Sequence, residues 1–150
     1  MLAELYREIL LDHYRSPRNR GTLDGRATHR SEGANPLCGD ELVLELAVET
    51  GRVTEVAFLG RGCAISQASA SMMTIYLRDR TAAEALEAVW CFQQLMLSGT
   101  ALPEEFGDIE ALAGVAKFPV RVKCASLAWK TLEQALSSDG VATVSTDEGS

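Results

Sequence analysis

The spacing of apolar residues along the chain changes period several times. From Leu2 to about Tyr14, Leu2, Leu5, Tyr6, Ile9 and Leu10 recur at intervals of three and four. That spacing predicts an amphipathic helix, stopped before Pro17. Arg15-Ser16-Pro17-Arg18-Asn19-Arg20-Gly21 then reads as a basic connector, solvated or able to dock an acidic partner, and Ala27 to Ser31 as a short strand. At Leu42 the period becomes two: Leu42, Leu44, Leu46 and Val48 alternate with Val43, Glu45, Ala47 and Glu49, which predicts a half-buried strand. Thr50-Gly51 supplies a turn, and Arg52 to Leu59 returns as its antiparallel partner. Gly60-Arg61-Gly62-Cys63 is too rich in glycine to continue the sheet.

Helical spacing resumes from Ala64 to about Asp79 with Ile65, Ala68, Met72 and Ile75, so Cys63 sits at a helix start. Thr81-Ala82-Ala83-Glu84 has the form of a capping box and opens a helix through Trp90 to about Leu97, ended by Ser98-Gly99. Asp108 can cap a shorter helix carrying Ile109, Leu112 and Val115. Pro119 suits the first turn of a final helix from Val120 to Leu136, with Val120, Cys124 and Leu127 on one stripe. Residues 137–150 are small, polar and acidic, a frayed tail beyond a single domain spanning 1–136.

One helix, a strand cluster and then several helices, without strand–helix alternation, predict an α+β fold: about three antiparallel strands with helices packed on one face. The 150 residues are 47% hydrophobic and 23% charged, ordinary globular proportions. Fourteen Lys and Arg against 21 Asp and Glu give a net charge of -7, which repels phosphate backbones and argues against nucleic acid. No apolar run reaches the roughly 18 residues of a membrane span. The N-terminus lacks the pattern of a secretory signal, so the expected compartment is the reducing cytoplasm.

Four cysteines are too few for a disulfide scaffold and more than packing needs. Cys38, in Asn35-Pro36-Leu37-Cys38-Gly39-Asp40, precedes the first clear strand, and Cys63 follows the second, so a hairpin returns the chain from one thiol to the other. Asp40 stands two residues beyond Cys38, on the same side of an extended chain. Cys63 at a helix N-terminus favours the thiolate form. Cys124 lies on an apolar stripe, and spacing alone leaves it equally a core residue or a ligand. Cys91, between Trp90 and Phe92, reads as packing. A ligand role for His13 or His29 is disfavoured, and Met72-Met73 and the Ser66 to Ser71 run read as helix core. If Cys124 joins, three thiolates and a carboxylate form a tetrahedral set that zinc accepts, with the carboxylate the most readily displaced ligand. Their excess negative charge calls for nearby cations, for which Arg61, Arg121 and Lys123 are candidates.

The segments Asp12 to Gly21, Asn35 to Asp40, Gly60 to Ser71 and Val122 to Trp129 together resemble the IscU/SufU/NifU-N-terminal family of iron-sulfur cluster assembly proteins, from about Leu5 to Leu136. The resemblance implies a SufE/NifU-like fold whose loops gather Cys38, Asp40, Cys63 and Cys124 around a metal. The chain is more similar to the SufU branch. The Cys63 to Cys124 interval is long, Lys123 replaces the histidine of the IscU branch, and Phe118-Pro119-Val120-Arg121 stands where a Leu-Pro-Pro-Val-Lys chaperone motif is expected. That branch implies a zinc-dependent sulfurtransferase. It would take persulfide sulfur from a SufS-type cysteine desulfurase, with Cys38 as acceptor, and relay it to a SufBCD-type cluster-assembly complex. The alternative is a scaffold that builds a transient [2Fe-2S] cluster, or holds iron, on the same residues.

Overall fold

The computed structural model describes residues 2–137 and 140–145, with side chains for 4–137. The chain runs α1 (Leu2–Arg15), β1 (His29–Asn35), β2 (Asp40–Glu49), β3 (Arg52–Arg61), α2 (Ala64–Leu77), α3 (Ala82–Ser98), a 3-10 segment (Glu104–Lys117), α4 (Pro119–Ser137) and β4 (Gly140–Ser145). The sheet order is β3-β2-β1-β4, antiparallel between β3, β2 and β1 and parallel between β1 and β4. The α+β class with a three-stranded antiparallel core and helices on one face is as the periodicity predicts.

The period of two in β2 decides which side is covered. Leu42, Leu44 and Leu46 are buried, with Phe58, Val53 and Val56 from β3 beside them, against Met72, Met73 and Leu77 of α2 and Leu127, Trp129 and Leu132 of α4. Phe92 of α3 stacks on Trp129 at 4.8 Å between ring centroids, extending the core outward. The Thr81 capping box is present in full, and α3 ends on Gly99 in the left-handed conformation. Among the described residues no helix is long and apolar enough to cross a membrane.

Several expectations differ from the structure. β3 runs on through Gly60 to Arg61, because Gly60 serves close approach rather than chain breaking: a Cβ there would lie 2.8 Å from the Glu41 carbonyl oxygen across the ladder. The first strand lies at His29–Asn35, later than Ala27 to Ser31, and its pairing with β2 sets Asn35 opposite Asp40. The basic connector is exposed at Arg15, Ser16 and Arg20, as expected, while its backbone is tied to β3: the Phe58 and Gly21 amides bond to the Asn19 and Phe58 carbonyls, and Arg18 pairs with Asp12 at 2.7 Å. In the expected frayed tail, Gly140–Ser145 forms β4, while residues 138–139 and 146–150 lie outside the described residues. Ile75 and Val120, placed on core stripes by spacing, are exposed. In α2, Ser66 to Thr74 are buried without interruption, because the helix is covered by the sheet, α1 and α4 together.

Candidate metal centre

The end of the sheet where β1 turns into β2 and β3 passes into α2 meets the first turns of α4. Asp40 opens β2 in phase with Leu42, Leu44 and Leu46, so its carboxylate faces the helices and is fully buried. A carboxylate in that position needs donors. One is the Cys63 amide, 2.8 Å from Asp40 Oδ1, and Cys63 Sγ stands 3.9 Å from Oδ2. Gly62 makes this approach possible: its φ of 141° is one that L side chains rarely adopt, and a Cβ there would lie 2.8 Å from Asp40 Cα and closer still to Oδ1.

Cys63 caps α2, its sulfur accepting from the Ser66 amide at 3.4 Å. Cys124, one turn into α4 and 1% exposed, brings its Sγ to 3.4 Å from Cys38 Sγ. That is well beyond a disulfide bond of about 2.05 Å and near the roughly 3.8 Å edge of a tetrahedron with metal–sulfur bonds of about 2.3 Å. Cys38, Asp40 and Cys124 each offer a ligand atom within 4.8 Å of the other two. Cys63 falls outside that tight group and stands at its edge through Asp40. The Cys124 thiol is pushed far up from its ordinary range, first by burial, then by hydrogen bonding with Cys38 and Cys63 and by the charge of Asp40. Soft thiols and one carboxylate at these separations suit a thiophilic divalent cation, and such a cation would offset what now disfavours the Cys124 thiolate.

A further polar group is buried here. Asn35, directly opposite Asp40 in the ladder, is fully buried, and neither its Oδ1 nor its Nδ2 has a hydrogen-bond partner. Orphaned polar atoms of this kind cost about 1–3 kcal/mol each, so Asn35 carries hydrogen-bonding capacity that no described residue satisfies. A strand ending at Ser31 leaves Asn35 in a loop, whereas β1 extends to Asn35 and pairs it with Asp40. The pairing across the β1–β2 turn is the signal that finds it.

The three candidate cations part company. Lys123 borders the same cleft as Cys38. Arg61 turns outward to Glu41, with 3.0 Å between Nη2 and Oε2. Arg121 lines an apolar groove with Tyr6, Leu10 and Phe118. His13 is buried and engaged elsewhere, Nδ1 with the Ser71 hydroxyl at 2.8 Å and Nε2 with Asp108 at 3.0 Å, and His29 contacts Thr28. Asp108 thus ties the 3-10 segment to α1. Cys91 packs half-buried against the core, as expected.

Residues 5–138 match the family described as NifU-like N terminal domain. The chain is 41% identical over 140 residues, 92% of its length and 93% of the relative's, to the zinc-dependent sulfurtransferase SufU of Bacillus subtilis (strain 168). It is 39% identical over 149 residues, 98% of its length and 92% of the relative's, to the iron-sulfur cluster assembly scaffold protein IscU of Streptococcus pyogenes serotype M1. Among solved structures, a protein from Fervidobacterium islandicum AW-1, described as a candidate iron-sulfur cluster assembly scaffold for the SUF system, superposes with a TM-score of 0.76 at 36% identity. That match covers 86% of this chain and 94% of the other.

Proposed function

This chain belongs to the NifU-like N-terminal domain family of iron-sulfur cluster assembly proteins, and from that premise we propose that it is a zinc-dependent sulfurtransferase. It accepts persulfide sulfur from a SufS-type cysteine desulfurase and passes it to a SufBCD-type cluster-assembly complex, in a reducing cytoplasm where thiols stay reduced. Cys38, Asp40, Cys63 and Cys124 hold the zinc. When bound, zinc keeps thiolates ready at neutral pH and out of disulfides.

One observation carries the choice of acceptor. Asp40 is fixed in β2, Cys63 caps α2 and Cys124 is buried within α4, but Cys38 stands in the turn Pro36–Gly39. Its backbone amide is held by one bond to the Asn35 carbonyl at 3.1 Å, and Gly39 follows with φ of 71°. Cys38 can therefore move outward while the strands and helices keep their own hydrogen bonds. Displaced into the open, its thiolate attacks the outer sulfur of the donor persulfide. A sulfur–sulfur bond forms on Cys38, the donor's sulfur–sulfur bond breaks, and the donor departs as thiolate with no net change of redox state.

Metal analysis of the purified protein together with desulfurase turnover tests the reading. Expected are about one zinc per chain and faster turnover that is lost in Cys38→Ala. A metal-free protein without effect on a desulfurase overturns it, and a Cys38→Ala protein that still stimulates removes Cys38 as acceptor. The near-equal likeness to IscU supports a second reading, a scaffold for a transient [2Fe-2S] cluster on the same residues. Anaerobic reconstitution of a coloured cluster that transfers to an apo-protein would decide for it.

A further inference from the structure

Beside Cys38 the surface opens into a cleft of about 270 Å³, bordered by Asn35, Leu37, Cys38, Pro119, Val120 and Lys123. Its walls are apolar, and Leu37 and Val120 are exposed, so the mouth faces solvent. Two donors interrupt them. Asn35 brings the buried amide with no partner, and Lys123 makes no ion pair or hydrogen bond among the described residues. On a chain of net charge -7, an unneutralised ammonium beside an orphaned amide is a combination that invites an anion. Hydrophobic walls favour one that is large, polarisable and weakly hydrated. The one reactive atom bordering the cleft is the Cys38 sulfur.

We infer that this cleft is a receiving pocket for sulfane sulfur. Once Cys38 carries a persulfide, its terminal sulfur anion sits in the cleft, held by the Asn35 Nδ2 amide and the Lys123 ammonium. The inference rests on the sulfurtransferase reading and deepens it. In the transfer, the Cys38 thiolate supplies the electron pair for the new sulfur–sulfur bond, the pair of the old bond leaves with the donor's thiolate, and the terminal sulfur's proton passes to that thiolate or to water. Asn35 and Lys123 take no part in bond making. They are positioning residues that stabilise the charge left on the outer sulfur and slow its loss to stray thiols.

In the pocket the Asn35 Nδ2 gains the acceptor it lacks when the cargo arrives. The pocket also assigns Lys123 a place at the acceptor thiol, which neither Arg61 nor Arg121 takes up in the structure.

The test uses the full chain as purified, with glutathione persulfide as the sulfur donor so that no desulfurase interface is involved. Intact-mass and peptide spectra follow the gain of one sulfur atom on Cys38 and its decay under dithiothreitol. Asn35→Leu and Lys123→Gln are each expected to lose the added sulfur about tenfold faster than wild type. Asn35→Leu should retain wild-type zinc content and melt at or above the wild-type temperature because it removes an unsatisfied buried amide. Wild-type decay rates in both variants overturn the pocket while leaving the sulfurtransferase reading standing. A wild-type protein that gains no sulfur on Cys38 overturns both. Should Asn35→Leu fail to fold, Lys123→Gln, altered at the rim of the cleft, decides alone.

Discussion

At Gly62 an absent side chain determines the site as much as any present donor. A Cβ there would strike Asp40, whose carboxylate accepts from the Cys63 amide and faces the thiols. Gly62→Ala therefore has to push the Asp40 carboxylate or the β3–α2 junction aside, and it should cost about 1–3 kcal/mol in thermal unfolding. Zinc binding, followed by competition with a chromophoric chelator, should weaken about 10–100-fold, since the lesion is at the ligand's own support. Wild-type affinity would show that Asp40 is not a ligand. The buried Cys124 thiol makes a second test. Burial holds it protonated in the metal-free protein, so zinc binding must expel that proton. Calorimetric titrations in two buffers of different ionisation enthalpy at neutral pH should show net proton release, reduced in Cys124→Ala. The direction follows from the sign of the shift: a thiol pushed up is protonated over the whole neutral range and loses its proton only when a cation stabilises the thiolate.

Each donor comes from a different element, and the elements differ in what holds them. α3 is fixed at its start by the reciprocal Thr81–Glu84 bonds of 3.0 and 2.8 Å. Thr81→Ala should cost about 1 kcal/mol on thermal unfolding without changing metal content, because α3 supplies no donor. A parallel loss of metal would mean that α3 supports the site through α4. The elements also differ in how far the sequence discloses them. The β2–β3 hairpin is legible because its turn and its period of two are both local, and with it the nearness of Asp40 and Cys63. The arrival of Cys124 is not, since nothing in the spacing of Val120, Cys124 and Leu127 says where α4 docks. Only the resemblance supplied it. The burial of Asn35 depends on a strand boundary that local spacing does not mark, and the end of β3 is hidden because a glycine such as Gly60 looks alike in a break and in a tight crossing.

Over the whole molecule, the apolar core fills the space between sheet and helices, and the cluster of donors borders it at one end of the sheet, with Asp40 and Cys124 themselves buried. Chelation should therefore leave the far-UV circular dichroism spectrum of the folded chain in place while abolishing sulfur acceptance. Loss of helical signal on chelation would instead make any bound metal a structural staple alone. The overall class was readable because hydrophobic period and element order are properties of the chain. The backbone pairing of the connector with β3 and of β4 with β1 is not, because it joins segments distant in sequence. One feature reaches beyond chemistry. Cys38 and Cys124 stand 86 residues apart in the chain, with their sulfurs 3.4 Å apart. A cation held by both closes a loop over more than half the polypeptide, and a ligand that binds only the folded form lowers the population of opened states. Metal supply would then govern how long each molecule survives proteolysis, so that chains starved of zinc are cleared first and the surviving pool is the one equipped to work.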